Sequence, residues 1–304
     1  MSQAIVETKG LTKRYGQTAA LDGIDLRIGE NQICGLLGRN GAGKTTLMHI
    51  ITSQLFATSG ELHVFGEKPY ENEKVLRQMC FIKESQAYAK TFKVADVVSL
   101  SNGIFPNWDS AYAERLLNEF ELPRSCSVGK LSRGMLSSLG IVVGLASRAP
   151  LTIFDEPYLG LDAASRTLFY DLLLEDYSNH PRTIILSTHL IDEVSRLLEH
   201  VVIIDHGRIL LDQDADEFRG MAYTVTGNAD RIRSFAEGKK VLHEEGFGSL
   251  LSVVLWGRAG AQEKRDAAEL GLELGPVSFQ QLFVHMTSGN AARPSLVQEG
   301  AIHR

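Results

Sequence analysis

Cysteine is scarce in this chain of 304 residues, which carries only Cys34, Cys80 and Cys126. Three widely spaced thiols exclude a disulfide scaffold and match no zinc-ligand spacing, so reduced, mostly buried side chains are expected, as in a cytoplasmic protein. Long apolar runs are missing too. The longest nearly apolar stretch, Leu139 to Phe154, is interrupted by Arg148 and Pro150 and is too short to cross a bilayer. Met1 to Thr8 has neither the basic nor the apolar region of a secretory signal, so none is expected. Basic residues are not in excess: 31 Lys and Arg against 37 Asp and Glu leave a net charge of −6, which gives no electrostatic footprint for nucleic acid. There is no heptad array, internal repeat or low-complexity tract. The remaining composition, 44% hydrophobic and 22% charged, is that of a globular chain long enough for one large domain and a smaller one.

Against that plain background, residues 38–46 stand out: Gly38-Arg39-Asn40-Gly41-Ala42-Gly43-Lys44-Thr45-Thr46 is a complete phosphate-binding P-loop, G-x-x-x-x-G-K-[ST]. Its glycines let successive backbone N–H groups turn toward phosphate oxygens. Lys44 supplies a point charge for the β- and γ-phosphates, and the Thr45 hydroxyl can ligate Mg²⁺. The flanks agree. Ile33 to Leu37 is an apolar run suited to a buried strand, and Leu47 to Ile51 is apolar at helical spacing, so a helix N-terminus also faces the anion.

A second element completes the chemistry. The apolar run Leu151-Thr152-Ile153-Phe154 ends in Asp155-Glu156. Asp155 fits the Walker B role of holding Mg²⁺, and Glu156 is placed to orient or deprotonate an attacking water. An apolar strand ending in acids is weak evidence alone; following a P-loop in this order, it is strong.

Four further segments give the chain a resemblance to a family. Leu131-Ser132-Arg133-Gly134-Met135, just upstream of Walker B, resembles the L-S-G-G-Q signature of the ATP-binding cassette (ABC) ATPases. Tyr158-Leu159-Gly160-Leu161-Asp162 is similar to that family's D-loop, Ser187-Thr188-His189 to its H-loop, and Tyr15 to the aromatic that stacks on adenine. The resemblance spans about Ile5 to Leu211. It implies an α/β P-loop cassette with a mixed-sheet core and a helical subdomain, binding ATP and Mg²⁺. It also implies two cassettes packed head to tail, so that Ser132 and Gly134 touch the γ-phosphate of ATP held by the partner. His189 would be the γ-phosphate switch that steadies the water held by Glu156, and Asp162 would couple the two sites. Plainer roles stand beside these: Tyr15 as a core aromatic, His189 as a loop histidine, Asp162 as a helix cap. At the Q-loop the alignment puts Glu84 as a metal ligand where the family has Gln, with Gln86 as a second candidate.

The implied function is the ATP-hydrolysing subunit of a membrane transporter, coupled to a separate transmembrane permease at the cytoplasmic face. The signature, the segment Phe105-Pro106-Asn107-Trp108 and the C-terminal extension most resemble bacterial multidrug or antimicrobial-peptide exporters. The alternative is a soluble ABC ATPase acting on nucleic acid or ribosomes; the single cassette, the lack of heptads and the acidic balance weigh against it. Nucleic acid is not an expected partner.

The expected domains are a nucleotide-binding domain over 1–218, with its helical subdomain at about 88–148, a small α+β domain over 219–288, and a disordered tail over 289–304. Alternation at Ile5–Thr8 and Leu21–Ile28 reads as antiparallel strands beside the P-loop strand. Asp109 is expected to cap a helix over Ala111–Phe120. Beyond Phe218 the order reads β-α-β-β-α-β, the split βαβ or ferredoxin-like arrangement.

Overall fold

The computed structural model describes residues 4–83 and 86–287, so the expected disordered tail lies outside the described residues. The chain divides into two compact units, one comprising residues up to His189 with Leu197–Asp212, the other Leu190–Arg196 with residues from Gln213 onward.

The first unit begins with β1 (Ala4–Tyr15), β2 (Thr18–Gly29) and β3 (Ile33–Leu37), then α1 (Lys44–Ile51), β4 (Ser59–Val64), α2 (Glu73–Leu76) and β5 (Met79–Ile82). Helices α3 (Val94–Ile104), α4 (Ser110–Glu119) and α5 (Arg133–Ala146) follow, then β6 (Leu151–Asp155), α6 (Ala163–Asn179) and β7 (Thr183–Thr188). After α7 (Ile191–Val194), which clusters with the second unit, come β8 (His200–Asp205) and β9 (Arg208–Asp214). A six-stranded sheet has the order β5-β6-β7-β3-β8-β9. Pairing is parallel from β5 through β8. Every residue of β3, β6 and β7 is buried, which is why these strands read as continuous apolar runs instead of alternating ones. The turn from β8 to β9 uses His206 and Gly207, both at positive φ (46° and 73°), the geometry that matches strand twist in a two-residue hairpin.

One expectation is corrected here. β1 and β2 do not hydrogen-bond beside the P-loop strand; they form a separate antiparallel sheet of order β2-β1-β4. Both edges of β3 are already taken, by β7 and β8. The smaller sheet meets β3 through side chains instead, with Val6, Leu21 and Ile24 in one apolar cluster with Leu36, Leu47 and Ile153.

The helices are capped as their sequences dictate. Asp109 accepts from Tyr112 N at 2.8 Å and starts α4. α5 is apolar from Leu139 to Ala146 and lies so close to the sheet that only glycine fits at position 144. A Cβ there would sit 2.5 Å from Phe154 Cε1 and 2.9 Å from Ile82 Cγ1. Nearby, Asp176 of α6, 4% exposed, receives Arg182 Nη1 at 2.7 Å and Arg148 Nε at 3.4 Å, while Arg148 also reaches Asp109 at 2.9 Å. This shared carboxylate ties the start of α4 and the end of α5 to α6 and β7. Breaking such a buried pair on one side costs more than forming it gained.

The second unit continues with α8 (Ala215–Arg219), β10 (Ala222–Asn228), α9 (Ala229–Ala236), β11 (Val241–Phe247), β12 (Leu250–Trp256), α10 (Ala261–Glu269), β13 (Glu273–Pro276) and α11 (Phe279–Thr287). Its antiparallel sheet has the order β11-β12-β10-β13, so β10 to β13 follow the β-α-β-β-α-β order read from the sequence. Val225, Ile232, Phe235, Val253, Leu255 and Leu272 form its apolar core. α7 joins this unit through polar contacts: Gln280 N donates to Asp192 Oδ1 at 3.0 Å, and Arg219 Nη2 donates to Ser195 O at 2.5 Å.

Two outcomes follow from this packing. Gly144→Ala should destabilise the chain by about 1–2 kcal/mol in urea unfolding, because overpacking of about 1–3 kcal/mol outweighs the roughly 1 kcal/mol helix-propensity gain. Cys34 and Cys80 are fully buried, with burial pushing the Cys80 thiol up to about 12, whereas Cys126 is only partly buried. A disulfide-exchange reagent at neutral pH should therefore label Cys126 in the folded protein and all three thiols only after denaturation.

Candidate active site

The P-loop turns between the end of β3 and the start of α1. Gly41 and Gly43 adopt φ of 80° and 112°, which side-chain-bearing residues rarely tolerate. Space reinforces the choice: a Cβ on Gly43 would lie 2.6 Å from Ala20 O, and one on Gly38 would lie 2.5 Å from Ile204 O. The loop thus rests directly on neighbouring backbone. It lines a cleft of about 320 Å³ together with Ala20, Asp155 and Glu156, residues 39–46 forming most of the wall. Lys44 is buried, and Nζ donates to Gly38 O at 2.7 Å. Burial holds its ammonium below the ordinary lysine range, and the nearby Glu156 and Asp155 carboxylates partly offset that effect.

Asp155 closes β6, and its Oδ2 accepts from the Thr45 hydroxyl at 2.9 Å. Two hard oxygen donors in contact suit Mg²⁺, which binds through a few protein oxygens plus substrate phosphates and water. Among the described residues no cluster of three His, Cys, Asp or Glu side chains able to hold a metal occurs. Glu84, the third expected metal ligand, lies outside the described residues, while Gln86 Oε1 accepts from Lys83 N at 3.4 Å.

Glu156 has φ of 50°, a strained left-handed conformation for a residue with a side chain. It nevertheless extends the parallel ladder, donating its N–H to Ser187 O at 3.1 Å. Its Oε2 lies 2.8 Å from His189 Nδ1. The same Nδ1 lies 3.1 Å from the Tyr158 hydroxyl. The carboxylate and imidazole expected from separate motifs are therefore direct partners.

The sequence motifs did not reveal the group between them. Tyr158, 2% exposed, donates its phenol O–H to Glu156 Oε2, and the phenol oxygen accepts from Thr188 Oγ1 at 2.8 Å and from His189 N at 3.0 Å. Burial, then the Glu156 charge and hydrogen bond, push this phenol far above the ordinary tyrosine range, so it stays protonated. In the sequence Tyr158 stands only as the first residue of the D-loop segment, two positions beyond Glu156.

The signature and D-loop pack on each other. Ser132 caps α5 by accepting from Met135 N at 3.1 Å, and a Cβ on Gly134 would lie 2.6 Å from Gly160 O. Ser137 Oγ donates to Leu159 O at 2.6 Å. Asp162 caps α6 by accepting from Ser165 N at 2.8 Å, and that bond holds its carboxyl below the usual range. Ser132, Gly134 and Asp162 do not line the P-loop cleft. Nor does Tyr15, which stands 53% exposed at the end of β1 with Lys13 Nζ 5.2 Å from its ring centre.

Comparison with known proteins agrees with this geometry. A family model described as ABC transporter matches residues 21–159. The chain is 32% identical over 222 residues to the bacitracin transport ATP-binding protein BcrA of Bacillus licheniformis, covering 71% of each chain. It is 31% identical over 211 residues to the Nod factor export ATP-binding protein I of Cupriavidus metallidurans, covering 67% of this chain and 69% of the other. A solved ATP-binding subunit of an ABC transporter superposes with a TM-score of 0.64 at 26% identity, over 71% of this chain and 92% of that one. With its P-loop, its acidic pair and His189 assembled at the C-terminal ends of three central parallel strands, the chain belongs to the ABC transporter family as an ATP-hydrolysing subunit.

Proposed function

We propose that this subunit hydrolyses ATP at a site shared by two head-to-tail copies and thereby drives export through a separate transmembrane permease. The observation that carries the reading is a division of the motifs. Residues 39–46, Asp155 and Glu156 share one cleft, whereas Ser132 and Gly134 of the same chain do not line it. A second copy supplying its own Ser132 and Gly134 closes the open side. Asp162, packed beside the signature through Gly160, sits where one site can sense the other.

In this reading the N–H groups of the P-loop and Lys44 hold the phosphates, and Tyr15 offers an exposed ring to adenine. Thr45 and Asp155 would hold Mg²⁺, with Glu84 as a further ligand; the ion, when bound, neutralises phosphate charge. Glu156 takes the proton of the attacking water. His189, bonded to Glu156 through Nδ1, keeps that carboxylate oriented and presents the rest of its half-exposed ring to the γ-phosphate side. Phosphoryl transfer needs little covalent help from protein, so this positioning is most of the catalysis.

Residues 1–218 form the nucleotide-binding domain in this scheme, with the permease received by the helical subdomain at 88–148. Leu100 and Ile104 on α3 are exposed apolar groups next to the Phe105–Trp108 segment that suit such a contact. The chain then works at the cytoplasmic face of a membrane; among the described residues no helix is long and apolar enough to cross it. Export is favoured by the likeness to the Nod factor export ATP-binding protein, 31% identical, and the net charge of −6 disfavours nucleic acid as the target.

Glu156→Gln should lower ATP turnover about a hundred-fold or more while nucleotide binding persists, measured by phosphate release and by fluorescent-nucleotide titration. Undiminished turnover would remove Glu156 as the base. Ser132→Arg should leave ATP binding to the single chain intact and abolish ATP-dependent dimers in light scattering; dimers that persist would refute the shared site.

A further inference from the structure

We propose that Tyr158 is a positioning residue for ATP hydrolysis, a phenol that fixes the base Glu156 relative to the switch residue His189. The inference rests on the site reading above and adds a residue to it.

A tyrosine hydroxyl has one proton to give and two lone pairs to fill. Here all three are used: the proton goes to Glu156 Oε2, and the lone pairs accept from the Thr188 hydroxyl and the His189 backbone N–H, with the His189 ring Nδ1 a further 3.1 Å neighbour of the same hydroxyl. Tyr158 is buried, so any of these bonds broken by rotation finds no water to replace it. The ring is fixed as well, edge-on to His189 with centroids 5.6 Å apart.

The direction of control follows from what anchors what. Two of the three bonds come from the end of β7, one of them from backbone. The phenol therefore takes its position from the sheet and passes it to Glu156 through the third bond. Glu156 needs such support, because its left-handed backbone at φ 50° gives its side chain no ordinary helical or strand neighbours. With the phenol and the imidazole both bonded to Oε2, the second carboxylate oxygen, Oε1, is the one offered to a water. Phenylalanine would fill the same space, yet it would free Glu156 to turn and leave the Thr188 hydroxyl and His189 N–H facing a ring edge.

The test is steady-state ATPase kinetics of the full chain. Tyr158→Phe should lower kcat about ten-fold, with KM for ATP changed less than about two-fold, the split expected when orientation of a reacting group is lost and substrate binding is not. In a His189→Ala background the same substitution should cost less than about a further two-fold, since both residues act through Glu156. Thr188→Val removes a single donor to the phenol and should lower kcat about three-fold at constant KM; it carries the test alone if Tyr158→Phe does not fold. A wild-type kcat in Tyr158→Phe, a loss expressed in KM, or a full ten-fold loss on top of His189→Ala would each overturn the proposal. Glu156→Gln separates the two levels: active Glu156→Gln refutes the site reading, whereas inactive Glu156→Gln with fully active Tyr158→Phe refutes the role of Tyr158 alone.

Discussion

The site depends on the parallel register of three central strands. Leu37 at the end of β3 pairs with Thr188, and Asp155 at the end of β6 pairs with Ser187, so three strands finish level with one another. The P-loop, the acidic pair and His189 each stand where a strand stops. A shift of one residue in any strand would move its motif by about 3.3 Å and turn its side chains to the opposite face. Such a slip would separate the 2.9 Å contact between Thr45 and Asp155 and the 2.8 Å contact between Glu156 and His189. The fully buried apolar side chains of β3, β6 and β7 are what make that slip costly, because each would have to leave its place in the core.

The register also explains the electrostatic arrangement. One buried cation, Lys44, faces two consecutive carboxylates at the end of β6, which partly offset the desolvation that lowers its pKa. Glu156 remains on the ladder by one backbone bond while its φ leaves the strand region. Strain at that residue is tolerated because ladder, phenol and imidazole all hold it.

Motifs whose chemistry is local were legible in the sequence. The P-loop needs its glycines and lysine at fixed offsets along one turn, and Asp109 announces its helix three residues before the N–H it caps. The C-terminal strand and helix order was also legible, since each short segment carried its own period and was separated by turn residues. What depends on distant packing was not. The alternation in β1 and β2 showed strands but not which sheet they joined, since that was decided by β7 and β8 occupying both edges of β3. Tyr158 entered only as the first residue of the D-loop segment, because its meaning comes from Thr188 and His189, some thirty positions away. α11 shows Phe279, Leu282 and Phe283 at helical spacing, yet its role is visible only once Gln280 meets Asp192.

That last contact bears on how the protein can be dissected. The composition shift near Phe218 invites an excised cassette ending there. Yet α7, which starts two residues after His189, is held by Gln280 and Arg219, both beyond that cut. A fragment ending at residue 218 would therefore carry His189 next to a short helix that has lost these two contacts. Four residues of helix hold no shape unaided. Rates measured on such a fragment would report a weakened support directly after His189, because the second unit takes in Leu190–Arg196 as well as the residues from Gln213 onward.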